Sequence, residues 1–114
     1  MSRPVLLTAA LLALATAPAH AADGEALFTS KACTACHHVD KDQSTIGLGP
    51  SLKMIAGAYD GKKDDLVKFL NADPSAKPIV KPELYPVMQT QQAMTKLMSD
   101  DEKAAVADYI LSNK

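Results

Sequence analysis

The chain has 114 residues, of which 47% are apolar and 22% charged, and its formal net charge at pH 7 is −1 with histidine neutral. This length fits one domain, and the balanced charge excludes the strongly basic field of a nucleic-acid binder. The apolar content excludes a disordered acidic tail, and two Cys exclude a disulfide scaffold. With three Tyr, two Phe and no Trp, we expect a small domain whose core is completed by something other than side chains.

The first 21 residues have the pattern of an export signal. Arg3 supplies a positive start, an apolar run follows over residues 5–15, and Ala19-His20-Ala21 fits the small-x-small cleavage rule. That run of about 11 residues is too short to cross ~30 Å of hydrocarbon, which argues against a membrane anchor. We predict a signal peptide over residues 1–21 and a mature domain over 22–114, located in a bacterial periplasm.

Both cysteines belong to one short motif that follows the first predicted helix, which Asp23 is expected to cap. The motif reads Cys33-Thr34-Ala35-Cys36-His37, which is the C-x-x-C-H pattern of c-type haem attachment. Positions three apart on a helix share a face, so both sulfurs can reach the two vinyl groups along one side of a porphyrin. His37 then lies under the ring as the proximal iron ligand. The motif predicts one covalently attached haem c with its iron.

Three other uses of the cysteines compete with haem attachment. A redox-active Cys-x-x-Cys normally follows a strand in a βαβ unit, and no strand pattern occurs here. A zinc site would have to take Cys33, Cys36, His37 and His38 from within six residues, whereas structural zinc sites draw on two separated segments. A disulfide across two residues would be strained. Haem attachment is therefore the interpretation we adopt.

The remainder of the chain has helix and loop patterns. Residues 41–50 are predicted to form a loop that folds back over the proximal side, and Ser51 is expected to cap a helix over 52–56. Residues 64–70 predict a short amphipathic helix with acids in its first turn. Four prolines between Pro74 and Pro86 exclude a continuous helix there. Residues 99–102 (SDDE) form a capping box that begins the last helix.

Together these segments resemble the small bacterial class I cytochromes c. GEALF (24–28), the C-x-x-C-H motif, GP (49–50) and a last helix with YIL (109–111) occur in that family's order. The resemblance implies an all-α fold of four to five short helices wrapped around one haem. It also implies that the terminal helices cross through Gly24, Phe28 and Tyr109, and that the Pro50 carbonyl accepts a hydrogen bond from His37.

The sixth iron ligand decides what the haem can do, and a methionine thioether suits electron transfer because it favours ferrous iron. His38 neighbours the proximal histidine and cannot reach the opposite face of the ring. Met54 lies on an apolar helix face, where methionine usually fills the core. Met98 directly precedes the cap of the last helix, a position from which an apolar residue packs on its own helix. Met88 and Met94 remain.

Met88 follows Pro86 in a stretch expected to be irregular, where extended backbone would carry its side chain over the distal face. In the resembled family the ligand closely follows a proline, ahead of a Ser-Asp-x-Glu helix start. Ten residues separate Met88 from Ser99 and four separate Met94 from it, and neither methionine is followed by proline. We predict Met88 as the distal ligand, with Met94 as the alternative.

Two further sets of residues are candidates for contacts. A mature chain of this size is marginally stable alone, so we expect apolar side chains to wall the haem and the haem-free protein to fold poorly. The candidate wall residues are Leu48, Leu52, Ile55, Leu66, Phe69, Leu70, Ile79 and Val87. Five lysines could form a docking ring, although a solvated surface is the simpler interpretation on a net-acidic chain. They are Lys62, Lys63, Lys68, Lys77 and Lys81.

The predicted function is that of a single-electron carrier rather than an enzyme: a monomeric periplasmic cytochrome that docks transiently on soluble or membrane-bound redox proteins. Two alternatives stay open. One is a five-coordinate haem protein that binds a small gas or peroxide, and the other is a fixed haem subunit of a larger oxidoreductase complex. The donor, the acceptor, the pathway and the reduction potential do not follow from any motif.

Overall fold

The protein is described by a computed structural model that covers residues 21–76 and 78–114. Over these ranges it contains five α-helices, three short 3-10 helices and no strand. The α-helices are α1 (Ala21–Ser30), α2 (Leu52–Ala58), α3 (Lys63–Leu70), α4 (Tyr85–Thr95) and α5 (Asp100–Leu111). The 3-10 helices are Cys33–Ala35, Ser44–Ile46 and Pro82–Leu84. The all-α prediction is confirmed, whereas the predicted signal peptide lies, apart from Ala21, outside the described residues.

The terminal helices α1 and α5 pack closely where they cross. A Cβ added to Gly24 would clash with the carbonyl group of Ala105 and would lie 2.8 Å from the Cβ of Tyr109. Next to this contact the rings of Phe28 and Tyr109 meet edge to face, with centroids 5.5 Å apart. The crossing implied by the resemblance is therefore confirmed, and it requires glycine because any side chain would separate the two backbones.

Helix α2 begins as the sequence predicts, and α1 does not. The Ser51 hydroxyl accepts a hydrogen bond from the Met54 N–H at 3.1 Å, which satisfies one of the free donors at the start of α2. Helix α1 already includes Ala21, so Asp23 lies in its first turn rather than at a cap. There its carboxylate still interacts favourably with the helix dipole.

Helix α4 corrects the prediction of irregular backbone around Met88. The prolines do exclude a helix before Pro82, but α4 begins at Tyr85 and includes both Pro86 and Met88. Proline is compatible with the first turn of a helix, since the N–H that it lacks has no partner inside the helix there. The prediction of extended backbone at Met88 is therefore wrong.

Helix α5 has the complete capping box that residues 99–102 predict. The Ser99 hydroxyl accepts a hydrogen bond from the Glu102 N–H at 3.1 Å. The Glu102 carboxylate accepts one from the Ser99 N–H at 2.9 Å. The buried face of this helix carries Val106 and Ile110 into the hydrophobic core, so α5 is the element against which α1, α2 and α3 pack.

Candidate functional site

The cysteine motif forms a 3-10 turn rather than a longer helix. Ala32 adopts a left-handed conformation (φ 59°) that turns the chain away from α1. The N–H groups of Cys36 and His37 then both donate to the Cys33 carbonyl, at 3.2 and 3.0 Å. Because residues three apart eclipse each other in a 3-10 helix, this turn is suited to holding two side chains on one side. Both cysteines are half-buried on this turn, and burial raises the pKa of the Cys33 thiol.

His37 is held in one orientation by the loop that follows it. Its Nδ1 lies 2.9 Å from the Pro50 carbonyl, which accepts the hydrogen bond. The proton therefore sits on Nδ1, and the lone pair of Nε2 stays free for a metal. Burial lowers the pKa of His37, because it disfavours the charged form of the imidazole. The hydrogen bond implied by the resemblance is present.

Gly49 completes the packing around this imidazole. Its N–H donates to the Cys36 carbonyl at 2.9 Å, which closes the loop onto the cysteine motif. A Cβ at this position would lie 2.6 Å from both Cε1 and Nδ1 of His37. The sequence marks Gly49 only as part of a family pattern, whereas the structure gives it a steric role against the ring.

The motif residues line an apolar cavity of about 270 Å³; they are Cys33, Cys36 and His37. Met88 and Met94 also line this cavity, as do most of the predicted wall residues, namely Leu48, Ile55, Leu66, Phe69, Leu70 and Val87. The cavity therefore brings together the cysteines, the histidine and both candidate methionines.

The prediction is wrong for two of the wall residues, Leu52 and Ile79. Leu52 is 1% exposed and belongs to the core cluster that α5 completes. Ile79 is 51% exposed, because it lies in the proline-rich surface segment between α3 and α4. Apolar character alone does not separate a residue that faces the cavity from one that faces the core or solvent.

The structure also places the three residues that the sequence set aside as ligands, namely Met54, Met98 and His38. Met98 is 5% exposed and joins the hydrophobic core, although it also touches the cavity. Met54 is half-buried on α2. The Nδ1 of His38 accepts hydrogen bonds from the N–H groups of Asp40 and Lys41, both at 3.1 Å, on the exposed surface.

The candidate docking lysines do not form one group. Lys81 lines the cavity and pairs with Asp42 at 3.7 Å, while Lys63 is bound in an ion pair with α5 at 2.8 Å. Lys62 and Lys68 line a separate, polar pocket, and Lys77 lies outside the described residues. Lys31, which the sequence reasoning did not select, also lines the cavity.

Two polar residues of α4 were also missed by the sequence reasoning. The Gln92 side-chain amide donates to the Phe69 carbonyl at 2.8 Å, and the Thr95 hydroxyl donates to the Leu70 carbonyl at 2.7 Å. Both side chains are 3% exposed. No local signal marks them, because polar residues three apart on a helix usually indicate a solvated face.

The arrangement suits a haem attached through two thioethers. Two thiols on one tight turn, an imidazole with a free Nε2 and a largely apolar cavity together provide the bonds and the surroundings that this group needs. No helix within the described part of the chain has the length and hydropathy to span a membrane. The fold and the site thus define a small, all-helical c-type haem protein.

The sequence pattern of the cytochrome c family matches residues 21–114, and the chain belongs to this family. It is 32% identical over 91 residues to cytochrome c-551 of Pseudomonas denitrificans, covering 80% of this chain and 98% of that protein. It is 35% identical over 108 residues to cytochrome c-553 of Nitratidesulfovibrio vulgaris (strain DSM 19637 / Miyazaki F), covering 93% and 91%. A shorter match to cytochrome c-551 of Stutzerimonas stutzeri is 55% identical over 49 residues, 43% of each chain.

These matches confirm the interpretation as a small monohaem class I cytochrome c. The cofactor is covalently attached haem c with its iron, and the general function is electron transport. Proteins of this family interact with redox partners.

Proposed function

We propose that this protein is a periplasmic single-electron carrier whose haem is bound by Cys33 and Cys36 and ligated by His37. The observation that carries the proposal is that these three side chains line one apolar cavity while the Pro50 carbonyl fixes the imidazole. The export pattern of residues 1–21 supports the periplasmic location. We further propose that the protein is a monomer that docks transiently and catalyses no reaction.

We also propose that a methionine of α4 is the distal ligand. Both Met88 and Met94 line the cavity and are half-buried. The preference for Met88 rested on irregular backbone, which the helical course of α4 removes. Met94 directly precedes Thr95, whose hydroxyl fixes this turn to α3 at 2.7 Å. A ligand held on a fixed turn stays in reach of the iron, so the anchoring supports Met94, and Met88 is the competitor that the experiment must test.

The bound haem supplies the one-electron chemistry of iron, and the residues of the chain set the conditions for it. The Pro50 carbonyl orients His37 and increases its basicity through the Nδ1 proton. The apolar wall would exclude water, and a methionine thioether bound to the iron would favour the ferrous form. With His37 and a methionine both bound to the iron, no position would be open to a substrate, which is why we propose a carrier rather than an enzyme.

The direct test is the visible spectrum of the protein matured in a periplasm that contains haem-attachment machinery. We expect a low-spin spectrum with a weak sulfur-to-iron charge-transfer band in the oxidised form that disappears on reduction. Met94→Leu should abolish this band, whereas Met88→Leu should retain it. Met54→Leu is the control, because Met54 is half-buried on α2. Loss of the band in Met88→Leu alone would instead identify the ligand predicted from the sequence.

Other results would favour the alternative functions. A high-spin spectrum that shifts on addition of carbon monoxide would mean an open iron, and gas binding or peroxide chemistry would replace the carrier. Size-exclusion chromatography of a periplasmic extract tests the third possibility. Elution of the haem absorbance well above the size of a small monomer would indicate a fixed subunit of a larger complex.

A further inference from the structure

Helix α4 is joined to the end of α3 by two buried hydrogen bonds that are remote in sequence. The Gln92 amide donates to the Phe69 carbonyl at 2.8 Å, across 23 residues, and the Thr95 hydroxyl donates to the Leu70 carbonyl at 2.7 Å, across 25 residues. Both donors are 3% exposed. We call this pair of hydrogen bonds the α3–α4 latch.

The latch uses carbonyl groups at the C-terminal end of α3, where the helix itself supplies few N–H donors. The last carbonyls of a helix have no acceptor role inside it, and burial without a partner is costly. The Phe69 carbonyl also accepts the Ala72 N–H at 3.0 Å, in a turn where Ala72 is left-handed (φ 55°). The chain therefore leaves α3 abruptly, and α4 returns to cap the helix from outside.

The latch also lies at the cavity. Phe69, Leu70 and Thr95 all line it, as do Met88 and Met94 from the same helix α4. A displacement of α4 from α3 would therefore move both candidate ligands relative to the cavity. The Thr95 hydroxyl has one hydrogen, which is directed at carbonyl oxygens, chiefly that of Leu70 at 2.7 Å and more distantly that of Gln92 at 3.3 Å. Thr95 therefore acts on the ligand through the position of the helix rather than through the sulfur atom.

We propose that Gln92 and Thr95 are positioning residues that keep the distal methionine bound to iron against competing ligands. This inference rests on the proposed His/Met ligation. It holds for either methionine, because α4 carries both. An external ligand can bind only after the methionine has left the iron, so its apparent affinity measures how often α4 releases its ligand.

The experiment titrates the oxidised holoprotein with imidazole and follows the charge-transfer band. Thr95→Val keeps the shape of the side chain and removes the hydrogen bond, so we expect imidazole to bind about tenfold more tightly. Thr95→Ser keeps the hydroxyl and should stay close to the parent affinity. Thr90→Val is the matched control, since the Thr90 hydroxyl makes a hydrogen bond of equal length, 2.7 Å, to Val87 within α4 on the exposed side.

A second measurement separates positioning from general stability. Denaturant unfolding of each variant, followed by far-UV circular dichroism, gives the global effect. If Thr95→Val is less stable than the parent protein but binds imidazole with the parent affinity, the positioning role of Thr95 is overturned. If Thr95→Val does not fold, Gln92→Leu takes its place and must tighten imidazole binding. Absence of the band in the parent protein would instead overturn the proposed ligation, and with it the latch's role.

Discussion

Replacing Gly49 by alanine tests whether the packing against His37 sets the orientation of the imidazole. The added Cβ would lie 2.6 Å from Cε1 and Nδ1 of the ring and 3.0 Å from the Cys36 carbonyl oxygen. Distances this short force the ring or the backbone to move. The backbone is held by the hydrogen bond from the Gly49 N–H to Cys36 at 2.9 Å, so the ring must shift and lengthen its bond to Pro50.

The magnitude follows from these two effects. Overpacking a tight site costs about 1–3 kcal/mol, and loss of the part-buried hydrogen bond from His37, which leaves the Pro50 carbonyl without its partner, costs about 1–3 kcal/mol. We therefore expect Gly49→Ala to lower the free energy of unfolding by about 2–6 kcal/mol, which is a large part of the ~5–15 kcal/mol typical of a folded domain. The assay is urea unfolding of the holoprotein, with the visible spectrum recorded on the same samples.

Gly57→Ala provides the control for this experiment. Gly57 lies inside α2, and a Cβ added there meets nothing within 4 Å. Because alanine favours a helix over glycine by about 1 kcal/mol, this variant should be slightly more stable than the parent protein. If Gly49→Ala is as stable as Gly57→Ala and keeps an unchanged spectrum, the steric argument at His37 is refuted.

Three further predictions concern the rest of the molecule. Ala72→Gly should stabilise the protein by about 0.5–1 kcal/mol, because the strain that alanine has at φ 55° is larger than the entropic cost of placing glycine there. An unchanged or lower midpoint of thermal unfolding would contradict this. The hydrogen bond from the Ser99 N–H lowers the pKa of Glu102 in the folded protein, so its contribution to stability is present above the unfolded pKa of about 4.3 and is lost as the pH falls through the lower folded value. Glu102→Gln should flatten the stability curve below about pH 5, measured by urea unfolding at each pH, and an unaltered curve would exclude the capping box as the source of this pH dependence. Haem-free protein carrying Cys33→Ala and Cys36→Ala should show reduced far-UV dichroism, and full helicity with a cooperative melt would show that the helices need no haem.

The sequence was sufficient for several contacts between groups that are neighbours along the chain, although not for the start of α1 at Asp23. Ser51 and Ser99 could be predicted as caps because the group that each binds, the N–H of the residue three positions further on, is close to it in sequence. The C-x-x-C-H motif indicated its cofactor for the same reason, since its spacing alone encodes the geometry of attachment. The family resemblance added one distant contact, the hydrogen bond from His37 to Pro50, which local reasoning does not reach.

Local sequence patterns gave wrong predictions where the surroundings of a residue depend on burial and on contacts distant in sequence. Four prolines suggested an irregular segment that would reach Met88, yet the first turn of α4 accommodates Pro86 without loss. Leu52 and Ile79 carry the same apolar signal as the true wall residues, and only the packing of α5 and the exposure of the proline-rich segment separate them.

The sequence by itself thus determined the helical class, the cofactor chemistry and the caps of α2 and α5, because these depend on groups a few residues apart. The tertiary structure decided which side chains face the cavity, why residue 49 must lack a Cβ, and how α4 is held. Gln92 and Thr95 bond to carbonyls 23 and 25 residues away. Every residue carries the same backbone carbonyl, so no sequence pattern indicates which carbonyl a distant side chain will bind. Contacts of this kind form only once the helices have packed.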